Sequence, residues 1–490
     1  MTIRVLQWNI LADGLGEDGF LSTEFSPIRE SNEPDAKHYD PNEFMKMVRA
    51  AKEEDKTSGI IQIMKKLKSE QKKLKKMKIS DERYNDTKAL VVEMKQKLSQ
   101  SRLVKLKEQF KKSPELEKVD KEILDWNVRY DRLTDIVNRS DPDIITMQEN
   151  DHVMQFLQDE MFSSKYTCLV DESMTYTPAI YNGEDKHKYL DRLLKGRAAF
   201  APKTFSNAKV FLTKRDPDAI NPDDDGVVVF WRKDKFKAIE LGFLKLPSDS
   251  EKSEAVVAVT LEHMGSKERF NVLSTHLPSG DEPKKEKERL NVLKNETKEW
   301  IARRICLGDN DIWVEQDYES NTFDGIVSFV RYFAQRQTVD GSHTIFALDA
   351  NSRPSFPLIK QDELSHLETN VWKTILAESC LESIWVQTNY IEPNGQATNS
   401  KHPFVVSVNK MRGPSSDQPS KIGEHQCELI DHIFTNGKKA KLVHAVNIKK
   451  GETISLAPEL YKSKTEAELS LYPSTKTPSD HLPVVVDITF

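Results

Sequence analysis

The chain has 490 residues, 37% hydrophobic and 31% charged, with a formal net charge of −6. The apolar residues gather into strand-like runs, which excludes a disordered chain, and no run is long enough to cross a bilayer. The four cysteines (Cys168, Cys306, Cys380, Cys427) have no zinc-type spacing and are expected to be reduced thiols.

In chain order, residues 4–10 read as a strand. The first apolar segment carries Arg4, Gln7 and Asn9, so it is expected to belong to the fold and not to a signal peptide; a soluble cytoplasmic or nuclear protein is the expectation. Residues 31–124 read as an insertion. Its middle is rich in Lys, Glu, Gln, Leu and Met, which favours helices. Ile60, Ile63, Met64, Leu67, Leu74 and Met77, then Leu90, Val91, Met94, Leu98, Leu103 and Leu106, fit two helices in a hairpin. Residues 56–112 hold eighteen Lys/Arg against six Asp/Glu, so the remainder of the chain is acidic. A helix is expected over 126–139, ended by Ser140-Asp141-Pro142. Strands follow at 143–148, 226–231, 236–246, 255–262 and 269–275, with a polar loop near 175–195. A second insertion, 284–342, opens with a charged helix and carries Phe323, Phe329, Tyr332 and Phe333. The last strands are expected at 344–348, 429–434, 442–448 and 483–490, and 410–426 reads as a mobile loop. Strands mixed with helices along the whole length predict one α/β sandwich domain over 1–490.

Several polar residues fall at strand ends. Asn9 ends the first strand, Glu149 follows Gln148 at the end of another, and His276 follows Ser274-Thr275. Asp349 and Asn351, two apart, fall on one side of an extended segment. Asp431 lies in an apolar strand, and Asp480-His481 stands between Pro478 and the last strand. Singly, each has a plain structural explanation: an Asx turn, a surface ion pair, a hydrogen-bonded core histidine. Jointly they suit phosphate ester hydrolysis, which needs neutralised oxygens, an oriented water and a stabilised leaving oxygen. Hard divalent cations prefer such oxygen ligands. No Walker loop, nucleophile elbow or His-Glu-x-x-His is present.

The set resembles the endonuclease/exonuclease/phosphatase superfamily, within it the deadenylase-like branch that includes nocturnin and the carbon-catabolite-repressor type of poly(A) nuclease. The residues that carry this are Gln7-Trp8-Asn9-Ile10-Leu11-Ala12, Trp126 with Arg129 and Ile136, Asp141-Pro142-Asp143-Ile144-Ile145, Gln148-Glu149, Ala201-Pro202-Lys203, Asp225-Gly226-Val227-Val228-Val229-Phe230, Thr275-His276-Leu277, Asp349-Ala350-Asn351, Leu429-Ile430-Asp431-His432-Ile433-Phe434 and Ser479-Asp480-His481-Leu482-Pro483. The resemblance implies a four-layer sandwich of two packed, mostly antiparallel β-sheets flanked by helices. It implies that Glu149 binds a catalytic Mg²⁺ (or Mn²⁺) with Asn9 close by. By the same resemblance Asp349 orients or deprotonates the attacking water, Asn351 steadies the phosphoryl group, His276 and His481 contact the scissile phosphate, Asp480 supports His481, and Asp431 completes the acidic centre. Lys203 and Asp225 fall where the branch lines its substrate cleft. Two departures stand out: Leu348-Asp349-Ala350-Asn351 replaces the usual Gly-Asp-Phe-Asn, and Pro278-Ser279-Gly280 stands where the branch often has a basic residue.

The leading expectation is an Mg²⁺-dependent phosphodiesterase on RNA, a 3′-exonuclease of the deadenylase kind. A phosphatase or phosphodiesterase on a small nucleotide or other phosphomonoester is the alternative. A catalytically silent scaffold that meets RNA or protein through the basic helices is the third.

Overall fold

The computed structural model describes residues 1–12, 19–21, 41–76, 83–98, 100–110, 120–170, 198–202, 226–245, 255–280, 283–294, 300–316, 318, 323–354, 370–413, 421–447 and 451–490. Lys203, Asp225 and the expected loop 175–195 lie outside them.

The strands run in chain order as β1 (Thr2–Asn9), β2 (Ile144–Gln148), β3 (Tyr166–Thr167), β4 (Phe200–Pro202), β5 (Gly226–Arg232), β6 (Phe236–Lys245), β7 (Ala255–His263), β8 (Arg269–His276), β9 (Ile301–Leu307), β10 (Trp313–Gln316) and β11 (His343–Asp349). They continue as β12 (Glu382–Ser383), β13 (Phe404–Val406), β14 (Val408–Met411), β15 (His425–Glu428), β16 (Asp431–Thr435), β17 (Lys439–Leu442), β18 (Ala445–Asn447), β19 (Thr453–Ser455), β20 (Glu459–Tyr461) and β21 (Val484–Thr489). Every strand expected from sequence has a counterpart, with 442–448 split between β17 and β18.

Two large sheets form the centre. One is ordered β17-β21-β1-β2-β5-β3, with β4 also on β5; the other is β10-β9-β6-β7-β8-β11-β16-β12. Each holds a single parallel pair, β1 with β2 and β8 with β11, among antiparallel neighbours. Parallel partners end at the same edge of a sheet. Asn9 therefore stands beside Gln148, and His276 beside Asp349. The antiparallel β16 starts where β11 ends, which sets Asp431 opposite Asp349.

Alternation along the strands builds two cores. Val5, Ile144, Val227, Val229 and Val486 face a cluster shared with the second sheet, including Val257, Val272, Ile345 and Ile433. Leu6, Trp8, Ile145, Met147, Phe230 and Val485 face the other way and pack under the helix Trp126–Ser140 through Leu133, Ile136 and Val137. Asp125 caps that helix, its carboxylate accepting from the backbone of Asn127 and Val128. The segment 284–342 joins the main fold: β9 pairs with β6, and Phe323, Phe329 and Phe333 enter the shared core.

The insert is helical: α1 (Pro41–Thr57), α2 (Ile60–Lys76), α3 (Tyr84–Leu98) and α4 (Arg102–Phe110). The expected hairpin is α2 with α3, joined over Leu67, Val91 and Met94. The run from Leu90 to Leu106 is two helices and not one. Buried Asp55 of α1 accepts from Ser101 Oγ at 2.7 Å and from the backbone nitrogens of Arg102 and Leu103, so α4 begins anew at a tertiary cap. Phe44, Val48, Met64, Leu103 and Phe110 then pack on Met411, Ile422 and Leu471. The expected loop 410–426 begins and ends in a ribbon instead: β14 pairs with β15, Lys410 opposite Gln426 and Met411 opposite His425. All four cysteines are free thiols, Cys380 exposed and the others buried. No helix among the described residues is long and apolar enough to cross a membrane.

Candidate active site

The strand edges gather Asn9, Glu149, His276, Asp349, Asn351, Asp431 and His481 at one place. Asp349 is the hub. Its Oδ2 accepts from Asn9 Nδ2 at 2.9 Å and lies 3.4 Å from His276 Nε2 and 3.8 Å from His481 Nε2. Its Oδ1 accepts from the Asn351 backbone nitrogen at 2.8 Å. The Asn9 amide orientation follows from its partners: a backbone N–H of Leu11 needs its oxygen, and a carboxylate needs its nitrogen. Asn9 thus holds Asp349 in place. Asn351 and Glu149 both adopt positive φ, 46° and 54°, just beyond the ends of β11 and β2. Asn351 Nδ2 donates to Leu277 O and faces His276 Nε2, each at 2.9 Å.

His481 is the second centre. Its Nδ1 is 2.9 Å from Asp431 Oδ2, so Asp431 fixes the ring and leaves Nε2 toward Asp349. Asp431 is wholly buried and both its carboxylate oxygens are engaged: Oδ1 accepts from Gln7 Nε2 at 2.9 Å, and Oδ2 also accepts from Ser407 Oγ at 2.6 Å. Burial alone would lower the His481 pKa, but Asp431, Asp480 and Asp349 outweigh it and raise it to about 9. Burial would push the Asp349 carboxyl up, yet the two imidazoles and Asn9 hold it well below the usual carboxylate range. Asp480 does not bond the His481 ring. It pairs closely with Lys410, and Ser479 Oγ donates to the Asn9 carbonyl at 2.7 Å.

Several supporting residues carried no role in the sequence reading. Gln7 also donates to Gln148 Oε1, and Gln148 donates to Ser274 Oγ, each at 2.9 Å, so a buried polar chain ties the two sheets below the site. Arg129, wholly buried, clamps both site loops: Nε donates to Pro478 O at 2.8 Å and Nη2 to Ile10 O at 2.6 Å. The available signal was an arginine at helical spacing with Trp126, Leu133 and Ile136 on the apolar face of its helix, since a charge there needs partners.

Asp349, Asp431 and His481 place three ligand-type atoms within 4.8 Å of one another. These atoms are already engaged: His481 Nδ1 is bonded to Asp431, which also accepts from Gln7 and Ser407, and Asp349 accepts from Asn9 and stands 3.8 Å from His481 Nε2. Glu149 fits a cation better. Among the described residues its carboxylate makes no hydrogen bond; His276 Nε2 is 3.8 Å away, and its side chain is only 14% exposed. A largely buried carboxylate without hydrogen bonds is costly unless a cation faces it.

The sequence profile of the Endonuclease/Exonuclease/phosphatase family matches residues 119–481, well over half of the chain. The chain belongs to this family. It is accordingly a phosphoester hydrolase, and the match spans every site residue named above from Glu149 to His481. β1, with Gln7 and Asn9, lies ahead of the match on the far side of the helical insert. No curated protein matches the sequence. Among solved structures the chain is similar to the human nocturnin catalytic domain, at 15% identity over 74% of this chain and 87% of that one, with a TM-score of 0.39. It is similar to ANGEL2, a 2′,3′-cyclic phosphatase, at 12% identity over 100% and 95%, with a TM-score of 0.44. It is also similar to a Bacteroides thetaiotaomicron mannosyl-6-phosphatase, at 13% identity over 74% and 92%, with a TM-score of 0.36.

Proposed function

We propose that the chain is an Mg²⁺-dependent phosphodiesterase acting on RNA, a 3′-exoribonuclease of the deadenylase-like branch. The observation that carries this reading is a largely buried carboxylate, Glu149, with no hydrogen bond among the described residues, beside His276 and the pinned carboxylate Asp349, which His481 also approaches. Glu149 would hold the cation, whose charge neutralises phosphate oxygens and the leaving oxygen. Asn9 serves by fixing Asp349. Asp349 accepts from the attacking water; a carboxyl held so low is a weak base, so orienting the water is its larger contribution. His276 and Asn351 meet the phosphoryl oxygens from one side. His481, kept protonated and oriented by Asp431, donates from the other.

The helical insert supplies the polyanion-binding surface in this reading. Exposed Lys66, Lys88, Lys95 and Lys105 form no ion pair among the described residues. Replacing all four by Gln is expected to reduce the salt dependence of RNA affinity by about 0.7 in log–log slope for each phosphate that is no longer neutralised. An unchanged slope removes the insert as an RNA arm.

The test of the function is a panel of adenosine-tailed RNA, untailed RNA, mononucleotides and phosphomonoesters with Mg²⁺ or Mn²⁺, and His481→Ala as control. Shortening of RNA from its 3′ end, absent in His481→Ala, is expected. A second reading, a small nucleotide or phosphomonoester as substrate, is favoured by Pro278-Ser279-Gly280 after the His276 strand. Buried Arg289 donates to the Pro278 and Gly280 carbonyls, so its charge is spent behind that segment. Turnover of nucleotides alone would decide for that reading. RNA binding with no turnover on the panel would decide for a silent scaffold.

A further inference from the structure

Residues 407–410 belong to neither large sheet, yet they touch the last site segment twice. Val408 bridges His481 through the backbone, and the Leu482 nitrogen donates to Ser407 O at 2.7 Å. Their side chains reach both acids that flank His481. Ser407 Oγ donates to Asp431, and Lys410 Nζ donates to Asp480 in a close ion pair. The side chains of Lys410 and Asp480 are only 16% and 3% exposed. Met411, next along β14, enters the core of the helical insert with Phe44, Val48 and Ile422, as strand alternation requires. Close by, Gly423 has φ +70°, and a Cβ there would come within 2.5 Å of Val48 Cγ1. The insert is therefore seated on the same ribbon that holds the two acids.

We propose that Lys410 is a positioning residue of the hydrolytic site. Its ion pair with Asp480 fixes the Ser479-Asp480-His481 turn that presents His481, and the helical insert sets Lys410 by holding Met411 and Gly423. Ser479 anchors the same turn to β1, through the Asn9 carbonyl at 2.7 Å. The Lys410 ion pair adds to the holds that Ser479, the Val408 bridge and Trp8 Nε1 on the His481 carbonyl place on this turn, and each added hold narrows the position of the imidazole, because catalytic groups work within narrow geometric tolerance. The proposal rests on reading His481 as a phosphate-contacting group.

Lys410→Met keeps the alkyl stem and removes the charge; Lys410→Arg keeps a cation. With bis(4-nitrophenyl) phosphate and excess Mg²⁺, Lys410→Met is expected to lose about tenfold to a hundredfold in kcat, of the size seen when outer-shell partners are removed. KM should stay within about twofold, and Lys410→Arg should recover most of the loss. An unchanged kcat in folded Lys410→Met overturns the proposal. So does a change confined to KM, which would make Lys410 a substrate-binding group. If Lys410→Met does not fold, Lys410→Met with Asp480→Asn removes both charges. That pair should fold and remain slow; wild-type kcat there also overturns the proposal. Val48→Asp, across the ribbon, should lower kcat without moving KM, and an unchanged kcat would remove the insert from the account. If the wild type cleaves no phosphodiester, the function reading fails by itself. The downfield imidazole Nδ1 proton resonance of His481 then decides the placement. Lys410→Met should shift it and Lys441→Met, an exposed control, should not; a signal unmoved by Lys410→Met overturns the proposal.

Discussion

The edge of the two sheets and the helical insert both concentrate charge, but the edge buries it and the insert exposes it. Asp349, Asp431, Asp480 and His481 are each at most 2% exposed, and each has named partners. Lys66, Lys88, Lys95 and Lys105 stand in water. A buried charge that loses a partner is left uncompensated, whereas exposed charges are screened by salt. Changes at the sheet edge should therefore act abruptly, through geometry. Changes in the insert should act gradually, and with ionic strength.

The sharpest contrast should come from Asp349→Ala, which is expected to lower kcat/KM on a phosphodiester by about a thousandfold. A loss as small as that from one insert lysine would erase the distinction. Arg129→Ala is next. It strips a charged donor from the Ile10 and Pro478 carbonyls, and urea unfolding should show a loss of about 3 kcal/mol or more. Glu149→Gln should raise the Mg²⁺ concentration needed for half activity by about tenfold to a hundredfold while leaving the unfolding midpoint nearly unchanged. A midpoint that falls instead would make Glu149 structural. Gly423→Val tests the seam between the regions: its side chain meets Val48 at a positive φ, and a loss of about 1–3 kcal/mol is expected.

The smallest effect concerns His425 in β15, whose Nε2 is 2.7 Å from Asn409 Oδ1. Burial, helped by Lys464, lowers its pKa from 6.5 to about 3. Between those values the unfolded chain takes up a proton that the folded chain refuses, so stability present above pH 6.5 is lost as pH falls toward 3. Thermal unfolding of His425→Gln should show a flatter slope over that window; an identical slope would remove His425 as the source.

The two regions also differ in how far they could be read from sequence. Strand runs with a buried face announce themselves by Val and Ile content and alternation, so the strands and the residues at their ends were legible. The site inherits that legibility: Asn9, Glu149, His276 and Asp349 converge because parallel partners finish at one edge, and Asp431 joins them because antiparallel β16 starts there. The support beneath them was not legible. That Gln7 reaches Asp431, or that Asp480 pairs with Lys410 and not with its neighbour His481, depends on contacts between residues tens to hundreds of positions apart. Lys410 lay in a segment that read as a loop from its Gly, Pro and Ser content, yet its first residues pair as β14. In the insert, helix content was plain from composition. The break at Ser101 was not, because its cause is Asp55, across the bundle on α1.

We propose the sheet edge as a cation-requiring hydrolytic site. The most direct measurement is nucleotide release from a synthetic RNA by the purified full chain, with and without added Mg²⁺, beside Asp349→Ala and His481→Ala. Release that requires Mg²⁺ and disappears in both variants is the result predicted. Release that persists in chelator, or survives in either variant, would contradict it.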